Sequence, residues 1–169
     1  MTTRAGRFGL VGFAVALLSL FANGRVHADG DATFKWVIIS SASALAADGS
    51  TITLTGSGKF NPNEPDEVNG GGTWTVSSGG SGVFTVKGLI RFDPAPGHFP
   101  EPPDPSIHAG LAFFRIAYSD NSRGILAVSC SLIGTPANVA EGITASKGFV
   151  YYFNLQSSGT FFQQVSGEE

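Results

Sequence analysis

In a chain of 169 residues, the single cysteine, Cys130, rules out any intramolecular disulfide. Thirteen acidic against ten basic residues give a net charge of −3, which becomes −6 once residues 1–28, carrying Arg4, Arg7, Arg25 and no acid, are removed. Such a surface repels phosphate backbones and no basic cluster reverses that locally, so nucleic acid is disfavoured as a partner.

The chain opens with Arg4 and Arg7, an apolar run from Phe8 to Phe21, and then Val26-His27-Ala28, in which Val26 and Ala28 fill the two small-residue positions of a cleavage site. This is the order of a secretory signal peptide. At about fourteen residues the run is shorter than the roughly 20 needed for a spanning helix. The expectation is a signal-peptide helix over 1–28, cleaved after Ala28, and a single all-β domain over 29–169. It is secreted, extracellular or periplasmic, with no stable membrane anchor after cleavage. About 140 residues bury a core without staples.

Thr33 to Ile39, rich in β-branched and aromatic residues, predicts the first strand. Ser40 to Ala47 is small and Ala-rich and reads as a helical turn or a loop, and Asp48-Gly49 signals a turn. Ser50 to Thr55 alternates strictly, with Ile52 and Leu54 on one face. Gly56 and Gly58 interrupt it as a bulge or bend would. Asn61 to Gly72 is expected to be a polar loop, followed by a strand with Trp74 and Val76 inward. In the next strand, Val83 to Phe92, the set Phe84, Val86, Gly88, Ile90 and Phe92 is assigned to the core, with Gly88 as a kink. Asp93 to Ala109 holds six of the nine prolines and is expected to be irregular.

Gly110 to Ile133 is the pattern around which the rest is organised. Two apolar arms flank Ser119 to Gly124, the signature of a β-hairpin with a loop longer than two residues. The arms are nearly free of charge, which marks central strands. Alternation places Cys130 with Leu126, Val128 and Leu132 on the apolar face, as an inert core thiol. Ile143 to Ser146 and Phe149 to Phe153 read as one broken strand or two short ones, and Thr160 to Val165 as the last strand. About eight strands with short connections predict an antiparallel β-barrel, with a β-sandwich as the alternative. Long strands with mid-strand glycines favour closure.

Gly70-Gly71-Gly72-Thr73-Trp74, Leu89-Ile90-Arg91-Phe92, the central hairpin and Gly142 to Phe149 together resemble a family of small bacterial secreted β proteins with no assigned activity. That resemblance implies a β fold and supplies no catalytic residue. The architecture is similar to allene oxide cyclase-like and dirigent-like barrels, and fold alone does not fix function.

The chain is poor in catalytic sets. No Gly-x-Ser-x-Gly elbow occurs, and Ser146-Lys147 is a bare dipeptide beside a glycine. His98 and His108, with Asp93, Glu101 and Asp104, match no metal-ligand spacing. Asn61 to Asn69 offers oxygen ligands without the order of an EF-hand loop. The expectation is no catalytic residue, no metal and no cofactor. Arg115, Tyr118, Tyr151 and Phe153 are the candidate ligand-binding residues. Arg115 is the one charge of the hairpin arms, although alternation turns it to solvent, and the aromatics either fill a β interior or line a cavity within it. The functional expectation is a non-enzymatic domain that binds a small apolar molecule or a partner surface. The alternative is a cofactor-free isomerase or cyclase in a barrel pocket.

Overall fold

The computed structural model describes residues 32–154 and 159–165; the expected signal segment, 1–28, lies outside them. The described chain is all-β, with nine strands in one antiparallel sheet. They are β1 (Thr33–Ala46), β2 (Thr51–Asn61), β3 (Glu64–Val76), β4 (Ser81–Ala95), β5 (Ile107–Tyr118), β6 (Arg123–Cys130), β7 (Gly142–Lys147), β8 (Val150–Asn154) and β9 (Thr160–Val165). Each strand from β1 to β8 pairs with the next, and β8 pairs back onto β1, so the sheet rings through eight strands. The ninth strand, β9, lies between β1 and β5. Along β1, Ala44–Ala46 pairs with β8 and Thr33–Ile38 with β9. Three residues of β1, 39–41, bulge out of its register with β2 between these halves, and Ser40 there has φ 63°.

Alternation decides which side of the ring each residue faces. Phe34, Trp36 and Ile38 of β1, Ile52, Leu54 and Phe60 of β2, Trp74 and Val76 of β3, and Ala112, Phe114, Ile116 and Tyr118 of β5 are all buried in one cluster. Phe84, Val86 and Leu89 of β4, Leu126, Val128 and Cys130 of β6, Ile143 of β7, Tyr152 of β8 and Phe162 of β9 also belong to it. Aromatic rings occupy its middle. Phe60 lies 5.6 Å from Phe114 and 6.1 Å from Phe162, and Trp36 lies 5.2 Å from Phe114. The central hairpin is observed as β5 and β6, flanked by β4 and β7. It turns at 119–122, where Asp120 accepts bonds from the Ser122 amide and hydroxyl.

Several segments differ from expectation. The polar stretch 61–72 is mostly strand: β2 and β3 are joined by a tight turn at Pro62-Asn63. Glycines face each other across this pair, Gly56 opposite Gly72 and Gly58 opposite Gly70. A Cβ on Gly58 would stand 2.1 Å from the Asn69 carbonyl oxygen and 2.6 Å from the Trp36 indole nitrogen. The missing side chains let the two backbones and the tryptophan close together, while Glu64 to Glu67 at the start of β3 stay exposed. Ser40 to Ala46 belongs to β1, because Ala42, Ala44 and Ala46 alternate inward. The proline-rich segment is strand at both ends, to Ala95 and from Ile107.

In β4 the expected inward set holds at Phe84, Val86 and Phe92, which packs against Phe34, Phe60 and Phe162, but Gly88 lies opposite the outward Arg115 and Ile90 is exposed. Register shifts between Val86 and Gly88, and again between Leu89 and Arg91, each set two β4 residues against one of β5. Each such bulge reverses the faces. Leu89 is therefore buried and Ile90 exposed, the opposite of simple alternation. The stretch 143–153 is two strands, β7 and β8, turning at Gly148-Phe149.

Candidate functional site

The four residues singled out in the sequence do not converge on one interior space. Arg115 is exposed on the outer face of β5, with its guanidinium lying along Gly88. Tyr118 is buried; its hydroxyl donates to the Ser146 carbonyl at 2.9 Å. Burial, with smaller contributions from Tyr152 and Asp120, raises its pKa well above the usual phenol range. Trp74 meets the Tyr118 ring edge-on at 5.7 Å. Over both rings lies the Lys147 ammonium, 4.3 Å from the Trp74 centroid and ion-paired to Asp120. This cluster closes one end of the core and is structural in its contacts. Tyr151 and Phe153 lie on the opposite side of the sheet, 68% and 65% exposed.

The histidines are not gathered into a ligand set. His98 pairs by its backbone with Ile133, while His108 on β5 stands edge-on to Phe34 at 5.4 Å. Among the described residues no group of three or more His, Cys, Asp or Glu side chains is arranged to hold a metal ion. Glu141 braces the fold: its carboxylate accepts from the Ser131 amide at 2.6 Å and the Thr160 amide at 2.5 Å, joining the end of β6 to the start of β9. Burial, with the nearby Glu141 carboxylate, pushes the Cys130 thiol up to about 12.

What the structure does bring together is an apolar trough on the outer face, running across β4 to β8. Strand register places Phe113 opposite Ala127, and Ala127 opposite Thr144. On one side of that row Leu111 lies opposite Ser129; on the other Ile125 lies opposite Arg115, and Tyr151 opposite Ser146. Large side chains stand at the sides and small ones between them. A hollow of about 520 Å³ is bounded by Pro94, Pro96, Leu111, Phe113, and Val139 of the 131–141 connector. Beside it lies a second, of about 380 Å³, walled by Phe113, Ile125, Tyr151 and Phe153. They share Phe113, Ala127 and Thr144 as their common floor. A third hollow continues past Tyr151 and Phe153 to Phe149, Ala46 and Ala47.

Three hydrogen-bonding groups in the trough are committed elsewhere, and the Asn138 amide and the Thr144 and Tyr151 hydroxyls line it as well. Ser129 donates to the Ala140 carbonyl at 2.5 Å, and Ser146 accepts from the Ile125 amide at 2.9 Å. Asp93 accepts from Arg91 at 2.6 Å. The surface can therefore hold apolar matter and offers little to a polar solute. Tyr151 and Phe153 were legible as candidates, but the wall residues Leu111, Phe113 and Ile125 were not. Their signal was present: the outward set of the hairpin, Leu111, Phe113 and Ile125, is apolar where a solvated sheet face would be polar.

Compared with protein-family models, with curated proteins and with solved structures, the chain matches none.

Proposed function

We propose that this protein is a secreted, non-enzymatic β-barrel that binds small apolar molecules on its outer face. In this reading residues 1–28 direct export and are removed, and the ring of eight strands closes as a barrel whose interior is structural. The observation that carries it is the placement of aromatics on both sides of the sheet. Phe60, Phe84, Phe114, Phe162 and Trp36 fill the inside, each below 2% exposure, while Phe113, Tyr151 and Phe153 wall an open trough outside. Contiguous exposed apolar surface of this kind marks interaction sites. The cyclase-like alternative draws less support, since it needs polar groups turned into a hollow interior and Arg115 stands on the outside.

The test is binding of a compact naphthalene-type fluorescent probe to the purified protein. Phe113→Asp and Tyr151→Asp place a charge in the trough wall without touching the core, and each is expected to weaken binding at least tenfold. Binding unchanged in both variants, or absent from the unsubstituted protein, overturns the proposal.

A further inference from the structure

Resting on the outer-face reading, we propose that the natural ligand class is a single long acyl chain laid across the strands, recognised by its length rather than by its headgroup. Three observations lead there. First, the trough is elongated. It runs from Asp93 and Pro94 on β4 to Tyr151 and Phe153 on β8, four strand-to-strand steps. At about 4.8 Å per step that is roughly 19 Å. A bilayer's hydrocarbon core is about 30 Å thick, so the chains of one leaflet extend about 15 Å and fit within that length.

Second, the track is continuous. The first two hollows share Phe113, Ala127 and Thr144, and the second and third share Tyr151 and Phe153. Ala127 is the low point between them. It lies on the outer face yet is only 4% exposed, sunk between larger neighbours. A flexible chain of methylenes can follow such a saddle, whereas a rigid ring system fills one hollow or the other.

Third, the chemistry is one-sided. A sugar needs donors and acceptors, and the hydroxyls of Ser129 and Ser146 already have partners. The nearest charges at the β4 end are the Arg91–Asp93 pair, which neutralise each other, and the Arg115 guanidinium lies toward Gly88 on β4. The Asn138 amide and the Thr144 and Tyr151 hydroxyls also line the trough, and none of them carries a charge that would select an ionised headgroup.

The experiment is equilibrium dialysis of the purified protein with octanoate, dodecanoate and hexadecanoate, each below its micellar concentration, beside the compact naphthalene probe. A fully buried methylene contributes about 0.8 kcal/mol, a fourfold change in affinity. An open trough covers about half of each methylene, so about twofold tightening per added carbon is expected, levelling off once the chain spans the trough. Replacing the carboxylate by an alcohol should change affinity by less than threefold. Ala127→Phe raises the saddle between the two hollows, and should abolish the gain from dodecanoate to hexadecanoate. If the probe binds but affinity is flat across the three acids, the acyl-chain inference is overturned and the outer-face reading stands. If neither probe nor acids bind, both are overturned.

Discussion

Neighbouring residues on one strand, Phe113 and Phe114, have different physical roles. Phe114 is 0% exposed and in contact with Trp36 and Phe60, whereas Phe113 is half-buried on the outer face. Phe114→Ala is expected to destabilise the fold by about 3–5 kcal/mol, a large share of the roughly 5–15 kcal/mol typical of a domain. Phe113→Ala should cost clearly less, and denaturant melts of the two variants measure the difference. By the same geometry Cys130 should resist thiol reagents in the native state and react only on unfolding. These faces were legible because period-two alternation holds along the whole of β5. Lys147 was not. A lysine beside a glycine reads as a turn, and nothing local says that its ammonium will cover Trp74, far away in the chain. Hydrogen bonds from Lys147 and Ser122 hold the Asp120 carboxyl down at about 2, below its unfolded value of 3.8. A depressed carboxyl contributes stability above the unfolded pKa and loses it as pH falls through the folded one. The stability difference between the native chain and Asp120→Asn should therefore be constant above about pH 5 and shrink as pH falls from about 4 to 2. Melts at a series of pH values check it; a difference independent of pH would show that the pair contributes nothing.

At the scale of the element, β4 shows where pattern reading fails. A bulge adds one residue to one strand, and its only sequence trace here is Gly88, which is equally compatible with a simple kink. Two bulges close together turn Leu89 in and Ile90 out. Leu89→Ala is expected to cost about 2–5 kcal/mol, and Ile90→Ala about 0.5 kcal/mol or less, as for an exposed position. Simple alternation predicts the reverse order, so two equilibrium unfolding curves decide between the registers. The stretch 56–72, where β2 and β3 extend beyond the strands read at Ser50 to Thr55 and around Trp74, was hidden for another reason. Its glycines and acidic residues depress every local strand preference, and what holds it is the close approach of backbones at Gly58 and Gly70. That approach is a property of the pair and cannot be read from either strand.

Over the whole molecule, the all-β class and the expectation of closure followed from composition, alternation and mid-strand glycines, but which strands close the ring did not. Its closure joins β1 to β8 and β9 across more than a hundred residues of chain, and no local signal records such a pairing. The trough follows from the same closure, because curvature turns one face of β5 to β8 outward as surface while the other becomes core. One feature of the ring bears on its resistance to aggregation. Each of the nine strands has a neighbour on both sides and no disulfide ties the sheet shut, but β3 and β4 pair only over Gly71–Thr75 against Ser81–Thr85, so beyond Thr85 the β3 side of β4 is left unpaired. Nor is the ring equally strong all round. The β1–β8 join is only three residue pairs long, Ala44–Ala46 against Tyr152–Asn154, where β1 and β9 share six. The β7–β8 pairing is likewise three pairs long, so β8 is lightly held on both sides and is expected to part first, baring β1 beside the apolar Phe149 and Phe153. The path from native protein to aggregate is then expected to begin with the release of one short strand, before the core melts.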